Sequence, residues 1–127
     1  MKVHLSAEVT GVAGFIGSNL AENHAPVARW VLRAKEKGAR VIVADPRLTP
    51  TVWLADTFLQ IRPGSDVALL NGMMHIIIEE GLTDRTFVAK RTSGYDELVK
   101  AVQDYTPDHV AHITGVPPAL IVEAARA

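Results

Sequence analysis

Cysteine is absent from this 127-residue chain. Its absence excludes disulfides, thiolate metal sites, a cysteine-ligated iron–sulfur cluster and a cysteine nucleophile within the chain. A dominant charge is missing too: 13 basic residues stand against 14 acidic ones, so no global field recruits nucleic acid or an anionic membrane surface. No apolar run approaches the ~20 residues of a membrane span. The N-terminus carries one lysine and then polar Ser6, Glu8 and Thr10, which does not read as a signal peptide, so a cytoplasmic protein is the default. An anionic ligand must therefore be held by local donors. The 48% hydrophobic content is ordinary for a globular chain, and the length suits one domain with a real core.

What the chain does have is a set of loops that follow apolar runs and precede helical patterns, the place where open α/β sheets hold nucleotides. Val12–Ile16 is an apolar run leading into Gly17, and a short strand is expected around Lys2–Leu5. After an Asn23–Pro26 loop, Val27, Val31, Leu32 and Ala34 recur at helical spacing, and Gly38 stops that helix. Ala39–Ala44 is β-branched at its centre, as in a parallel strand covered on both faces, and Asp45-Pro46 ends it. Val52–Asp56 predicts a short helical turn and Thr57–Ile61 a third strand; Asp66 opens a helix that ends at Glu80-Gly81. Helices are predicted at Asp84–Arg91, Tyr95–Tyr105, Pro107–Thr114 and Pro117–Ala127, the third started by Thr106-Pro107-Asp108. The fold class is α/β: a Rossmann-like, small parallel sheet flanked by helices, with a helical C-terminal annex.

The spacing Gly11-x-x-Gly14-x-x-Gly17 resembles the dinucleotide fingerprint of extended short-chain dehydrogenases and nucleotide-sugar epimerases. That resemblance implies a helix from about Phe15 and a ribose-binding acid ~20 residues on. The suitable carboxylate, Asp45, comes 28 positions after Gly17, and Asn23-His24-Ala25-Pro26 would interrupt the helix. The Tyr-x-x-x-Lys pair of that family is also missing: Val99 follows Tyr95, and His109 follows Tyr105, at the fourth place.

A second set of motifs runs in order along the chain: Gly17-Ser-Asn-Leu-Ala-Glu-Asn-His24, Arg33-Ala-Lys-Glu-Lys-Gly38, Ala44-Asp-Pro-Arg-Leu-Thr-Pro-Thr51, Ala55-Asp56, Arg62-Pro-Gly-Ser-Asp66 through Met74, and Thr92–Ala125. Together they are similar to the molybdopterin oxidoreductase family, and within it to the catalytic subunits of molybdenum or tungsten formate dehydrogenases. The likeness begins at Gly17: residues 1–16 match poorly, and 17–127 form the cofactor-binding-like α/β domain. It implies a segment holding a molybdopterin guanine dinucleotide. Gly17, Ser18, Asn19, Glu22, Asn23 and His24 would lie on the pyrophosphate and pterin side; Asp45, Pro46, Arg47 and Thr49 beside the guanosine; Gly64 and Asp66 at the guanine. A carboxylate such as Asp66 can accept both the ring N–H and the amine of guanine, and Arg47 suits a pyrophosphate. Ala25 departs from the family, which has proline directly after the histidine.

The same residues have plainer readings. Asp45-Pro46-Arg47 read alone is a strand-ending turn, Pro63–Asp66 a turn with an N-cap, and Asn23-His24 a helix-entry cap. Trp30, Trp53 and Met73-Met74 read as packing residues, and His109 and His112 as solvent-facing. The family's iron–sulfur cysteines, its cysteine or selenocysteine metal ligand with the adjacent histidine, and its second pterin domain are missing from the sequence. No residue is assigned to hydride or proton transfer, and the isolated chain is not expected to catalyse alone. Three readings follow. The first is the dinucleotide-binding segment of a formate dehydrogenase, partnered by the other domains or subunits of its parent. The second is an NAD-binding Rossmann module, and the third a non-catalytic scaffold that self-associates. The last helix runs to Ala127 without a stop signal, from which an excised segment is expected.

Overall fold

The computed structural model describes residues 12–127, so the strand expected at Lys2–Leu5 and the glycine at 11 lie outside the described residues. The chain divides into two compact units, the first running to Phe58 and the second Leu59–Arg126. The first carries β1 (Val12–Ile16), α1 (Leu20–Asn23), α2 (Ala25–Glu36), β2 (Arg40–Ala44), a 3-10 turn (Pro50–Leu54) and β3 (Thr57–Leu59), whose last residue opens the second unit. The second carries α3 (Asp66–Glu79), α4 (Arg85–Arg91), α5 (Tyr95–Val102), α6 (Pro107–Thr114) and α7 (Pro118–Arg126). Among the described residues, no helix is long and apolar enough to cross a membrane.

The sheet has the order β1-β2-β3, with β1 parallel to β2 in a register from Val12 opposite Arg40 to Ile16 opposite Ala44. The central position of β2 explains its sequence: Val41, Ile42, Val43 and Ala44 are all buried, as a strand covered on both faces requires. Side chains two apart share a face, so Val41 and Val43 point the same way. They pack with Leu20, Ala28 and Val31 into the core of this unit, against which Phe15, Val52, Leu54 and Phe58 lean. A one-residue slip would turn Val41 and Val43 away from α2.

A polar side chain completes this sheet. Asp56 donates its backbone N–H to the Val41 carbonyl (2.7 Å) and accepts the Val41 N–H on Oδ2 (2.8 Å). Its other oxygen meets Lys35 Nζ at 2.9 Å, and the same ammonium donates to the Leu54 carbonyl at 2.8 Å. The Lys35 hydrogen bond first, and then the Val41 amide, hold the Asp56 carboxyl below its ordinary range. One residue thus ties the C-terminal end of α2 to the β2–β3 pairing.

In the second unit α3 is the central helix, packed against α5, α6 and α7. Its buried Leu69, Gly72 and Ile76 follow helical spacing. Gly72 is there for room: a Cβ at this position would lie 2.7 Å from Cγ2 of the fully buried Val110 on α6. The helix starts are those the sequence signals. Asp84 caps α4 by accepting the Phe87 N–H at 2.9 Å, and Thr106 caps α6 by accepting the His109 N–H at 3.3 Å. Arg126 of α7 holds Glu80 after α3 through two nitrogens at 2.6–3.1 Å.

Several expectations are corrected. Trp30 and Trp53 are 55% and 81% exposed rather than packed. Trp30 sits on the outer face of α2, where the Arg33 guanidinium lies 5.2 Å from its ring, and Trp53 projects from the short 3-10 turn, whose buried contribution is Thr51. Met73 and Met74 are only half-buried, because Leu69, Gly72 and Ile76 take the inner stripe of α3. Phe15 lies inside β1, so no helix begins there, and the loop at 23–26 shrinks to His24 between α1 and α2. His109 and His112 do face solvent.

Two outcomes are expected. Asp56 has a lowered folded pKa, so its contribution is present above the unfolded value and lost as pH falls through the folded one. Asp56→Asn should therefore lower the melting temperature at pH 7, with the gap to wild type closing as pH falls below roughly 4 in a thermal melt series. Gly72→Ala should destabilise by about 1–2 kcal/mol, overpacking outweighing the helix gain of about 1 kcal/mol. In a Val110→Ala background, denaturant melts should show that penalty removed.

Candidate functional site

Parallel strands send their carboxyl ends the same way. Ile16 pairs with Ala44, and the ladder continues one step, the Gly17 N–H donating to the Ala44 carbonyl at 2.9 Å. The loops beginning at Gly17 and Asp45 therefore leave the sheet side by side at its carboxyl edge, the ligand-binding edge of open α/β sheets. Gly17 makes its turn at φ 60°, where a Cβ would be strained.

The first loop enters α1, a helix of four residues and too short to stand alone. Thr51 pins it. This fully buried hydroxyl accepts the Ala21 N–H at 3.1 Å and donates to Asn19 Oδ1 at 3.3 Å. Asn19 Nδ2 in turn donates to the Glu22 carboxylate. His24 joins the helices through its backbone: its N–H donates to Leu20, and its carbonyl accepts from Val27 and Ala28. Ser18 and Asn19 are half-buried, while the side chains of Glu22, Asn23 and His24 are exposed. Thr51 was not singled out as a site residue; its signal is a hydroxyl in an otherwise largely apolar turn, two places after Thr49.

The second loop holds the unusual chemistry. Asp45 is fully buried, and its Oδ1 accepts the Arg47 N–H at 2.8 Å, with Arg47 Nε at 3.5 Å. This closes an Asx turn that Pro46 stiffens. The other carboxylate oxygen, Oδ2, is buried with no hydrogen-bond partner among the described residues, and so is the hydroxyl of Thr49. Leaving such groups unpaired is costly, and most buried polar atoms avoid it. A carboxylate oxygen needs a donor, and a threonine hydroxyl can donate and accept. Neighbouring hydroxyls such as those of a ribose have that chemistry. The Arg47 guanidinium is largely exposed beside them.

The second unit carries the other two expected residues. Gly64 turns at φ 78°, and Asp66 is half-buried in the first turn of α3, where the helix dipole favours a negative charge. Its carboxylate accepts no hydrogen bond among the described residues. Of the twelve expected residues, the sheet edge brings the Gly17–His24 and Asp45–Thr49 groups together. Among the described residues, these groups include no hydrogen-bonded pair of nucleophile and base.

The family model described as molybdopterin oxidoreductase matches residues 8–124. The chain is 50% identical over 111 residues to the F420-dependent formate dehydrogenase 1 subunit alpha of Methanococcus maripaludis, covering 87% of this chain and 16% of that relative. It is 47% identical over 117 residues to formate dehydrogenase H of Escherichia coli, covering 92% and 16%. The solved structure of acetylene hydratase from Pelobacter acetylenicus matches with a TM-score of 0.80 at 41% identity, over 91% of this chain and 16% of that one. The chain thus spans about one sixth of the length of the relatives it matches. Both the motif order and the architecture lead to one conclusion: this chain belongs to the molybdopterin oxidoreductase family.

Proposed function

We propose that this chain holds a molybdopterin guanine dinucleotide for a molybdenum- or tungsten-dependent formate dehydrogenase. The observation that carries the reading is the pair of buried, unpartnered oxygens, Asp45 Oδ2 and Thr49 Oγ1, on the loop that leaves the carboxyl edge of β2. They suit ribose hydroxyls, and because both are shielded from solvent, the 45–49 loop opens locally to engage them. Arg47 supplies the cation for a pyrophosphate. The Gly17 amide is committed to Ala44, so Gly17 shapes the first loop while the Ser18 and Asn19 amides are its donors. Glu22, Asn23 and His24 face the pterin side. Gly64 allows the turn that presents Asp66 to the ring N–H and amine of guanine.

When bound, the metal–pterin group supplies the redox chemistry, and the protein's part is binding and orientation. In the full-length enzyme the reaction is oxidation of formate to carbon dioxide, or its reverse. The exposed Trp53 and Leu48, 81% and 72% accessible, are apolar contacts for the remaining domains of such a parent.

The test is thermal stabilisation of the purified chain by GDP, GMP, NAD and ADP side by side. Saturation at about 100 times the dissociation constant adds roughly 2.7 kcal/mol. A shift selective for guanine nucleotides, lost in Asp66→Ala, is the expected result. A shift selective for NAD, or an equal response to all four, would overturn the reading.

A further inference from the structure

Every α-helix ends with carbonyls that lack partners inside the helix. In α6 the last three of them go to a single residue about fifty positions earlier in the chain. Arg62 Nη1 donates to the His112 carbonyl at 2.6 Å and to the Ile113 carbonyl at 3.1 Å, while the Arg62 backbone N–H donates to the Thr114 carbonyl at 2.8 Å. Its positive charge also lies at the negative end of the α6 dipole. Arg62 then uses its own carbonyl in the opposite direction. That oxygen accepts the Ser65 hydroxyl at 2.7 Å and the Ser65 N–H at 3.2 Å, which closes the turn through Pro63 and Gly64. The buried Ser65 starts α3, its carbonyl accepting the Leu69 N–H at 3.1 Å. The end of α6 and the start of α3 are therefore fastened to one another through the two sides of Arg62, and Gly64 and Asp66 lie on the chain that this fastening fixes.

We infer that Arg62 is the positioning residue of the Pro63–Asp66 loop and sets the affinity of its carboxylate for a guanine base. The ligand in this statement rests on the cofactor reading above; the loop geometry does not. Lysine is a partial replacement: one nitrogen, Nη1, serves both carbonyls, and an ammonium has donors enough for two, but on a stem that fixes their direction less well than the rigid guanidinium.

The experiment compares wild type, Arg62→Lys and Arg62→Met by amide hydrogen exchange and by GDP titration, at a temperature where each is folded. The expected result is faster exchange at Ser65 and Leu69 in Arg62→Met, partly restored in Arg62→Lys, with the α7 amide of Ala124 unchanged. The GDP dissociation constant should rise about tenfold in Arg62→Met, the order of effect of removing an outer partner that orients a ligand-binding group. Unchanged exchange at Ser65 and Leu69, or acceleration spread evenly over the second unit including Ala124, would overturn the inference. So would an unchanged dissociation constant in the face of a loosened loop. If Arg62→Met does not fold, Arg62→Lys decides by the same readouts. If the wild type binds no GDP, the cofactor reading fails and the exchange pattern alone decides whether Arg62 positions the loop.

Discussion

The parallel pairing of β1 with β2 is the constraint on which the candidate site depends, and its last bond, from the Gly17 amide to the Ala44 carbonyl, is the one that matters most. Parallel strands need a crossover connection, which here is α1 and α2. They also place the carboxyl ends of both strands on one edge. Had these strands paired antiparallel, the Gly17 and Asp45 loops would leave from opposite ends of the sheet. The hydrophobic pattern guards the register, since Val41 and Val43 meet α2 only in this alignment.

Around that pairing, single polar side chains do what the short elements cannot do for themselves. Asp56 supplies the second bond to Val41 beside a strand of three residues. Thr51 steadies a helix of four. In the second unit Arg62 gathers the terminal carbonyls of α6. Each of these groups is held by bonds to backbone rather than by a partner of opposite charge alone. A hydrogen bond to backbone fixes direction as well as distance, which a surface ion pair in water does weakly. Loops built this way keep their shape without a large core beneath them.

How much of this was legible in the sequence varies with the range of the cause. β1 and α6 lie where the pattern puts them, and β2 begins one residue later, because short apolar and β-branched runs, a helix cap and a proline at N1 act within a few residues. The third strand and α5 stop short of their apolar patterns, at Leu59 and Val102, since pattern alone does not end an element. α1 was invisible: one turn has no period, and the group that holds it comes some thirty residues later. The exposure of Trp30 and Trp53 was misread because composition reports that a side chain is apolar, not what covers it. At the site, the motif order located the loops, but the unpartnered oxygens of Asp45 and Thr49 depend on three-dimensional neighbours that no spacing records.

Those two oxygens have a consequence for how such a chain can change. A buried acceptor and hydroxyl left without donors are a local frustration of the free fold, tolerated in native sequences chiefly where something else uses the groups. A substitution that relieves it at Thr49, such as Thr49→Val, would rank among the easier routes to a more robust chain, whereas an apolar residue at 45 would also strip the Arg47 amide of its acceptor. Selection for stability alone would therefore favour loss of the Thr49 hydroxyl, so on the proposed reading its persistence in a laboratory lineage would report selection for ligand. On the proposed reading, the opposing pulls of stability and function meet in one loop of five residues, Asp45–Thr49.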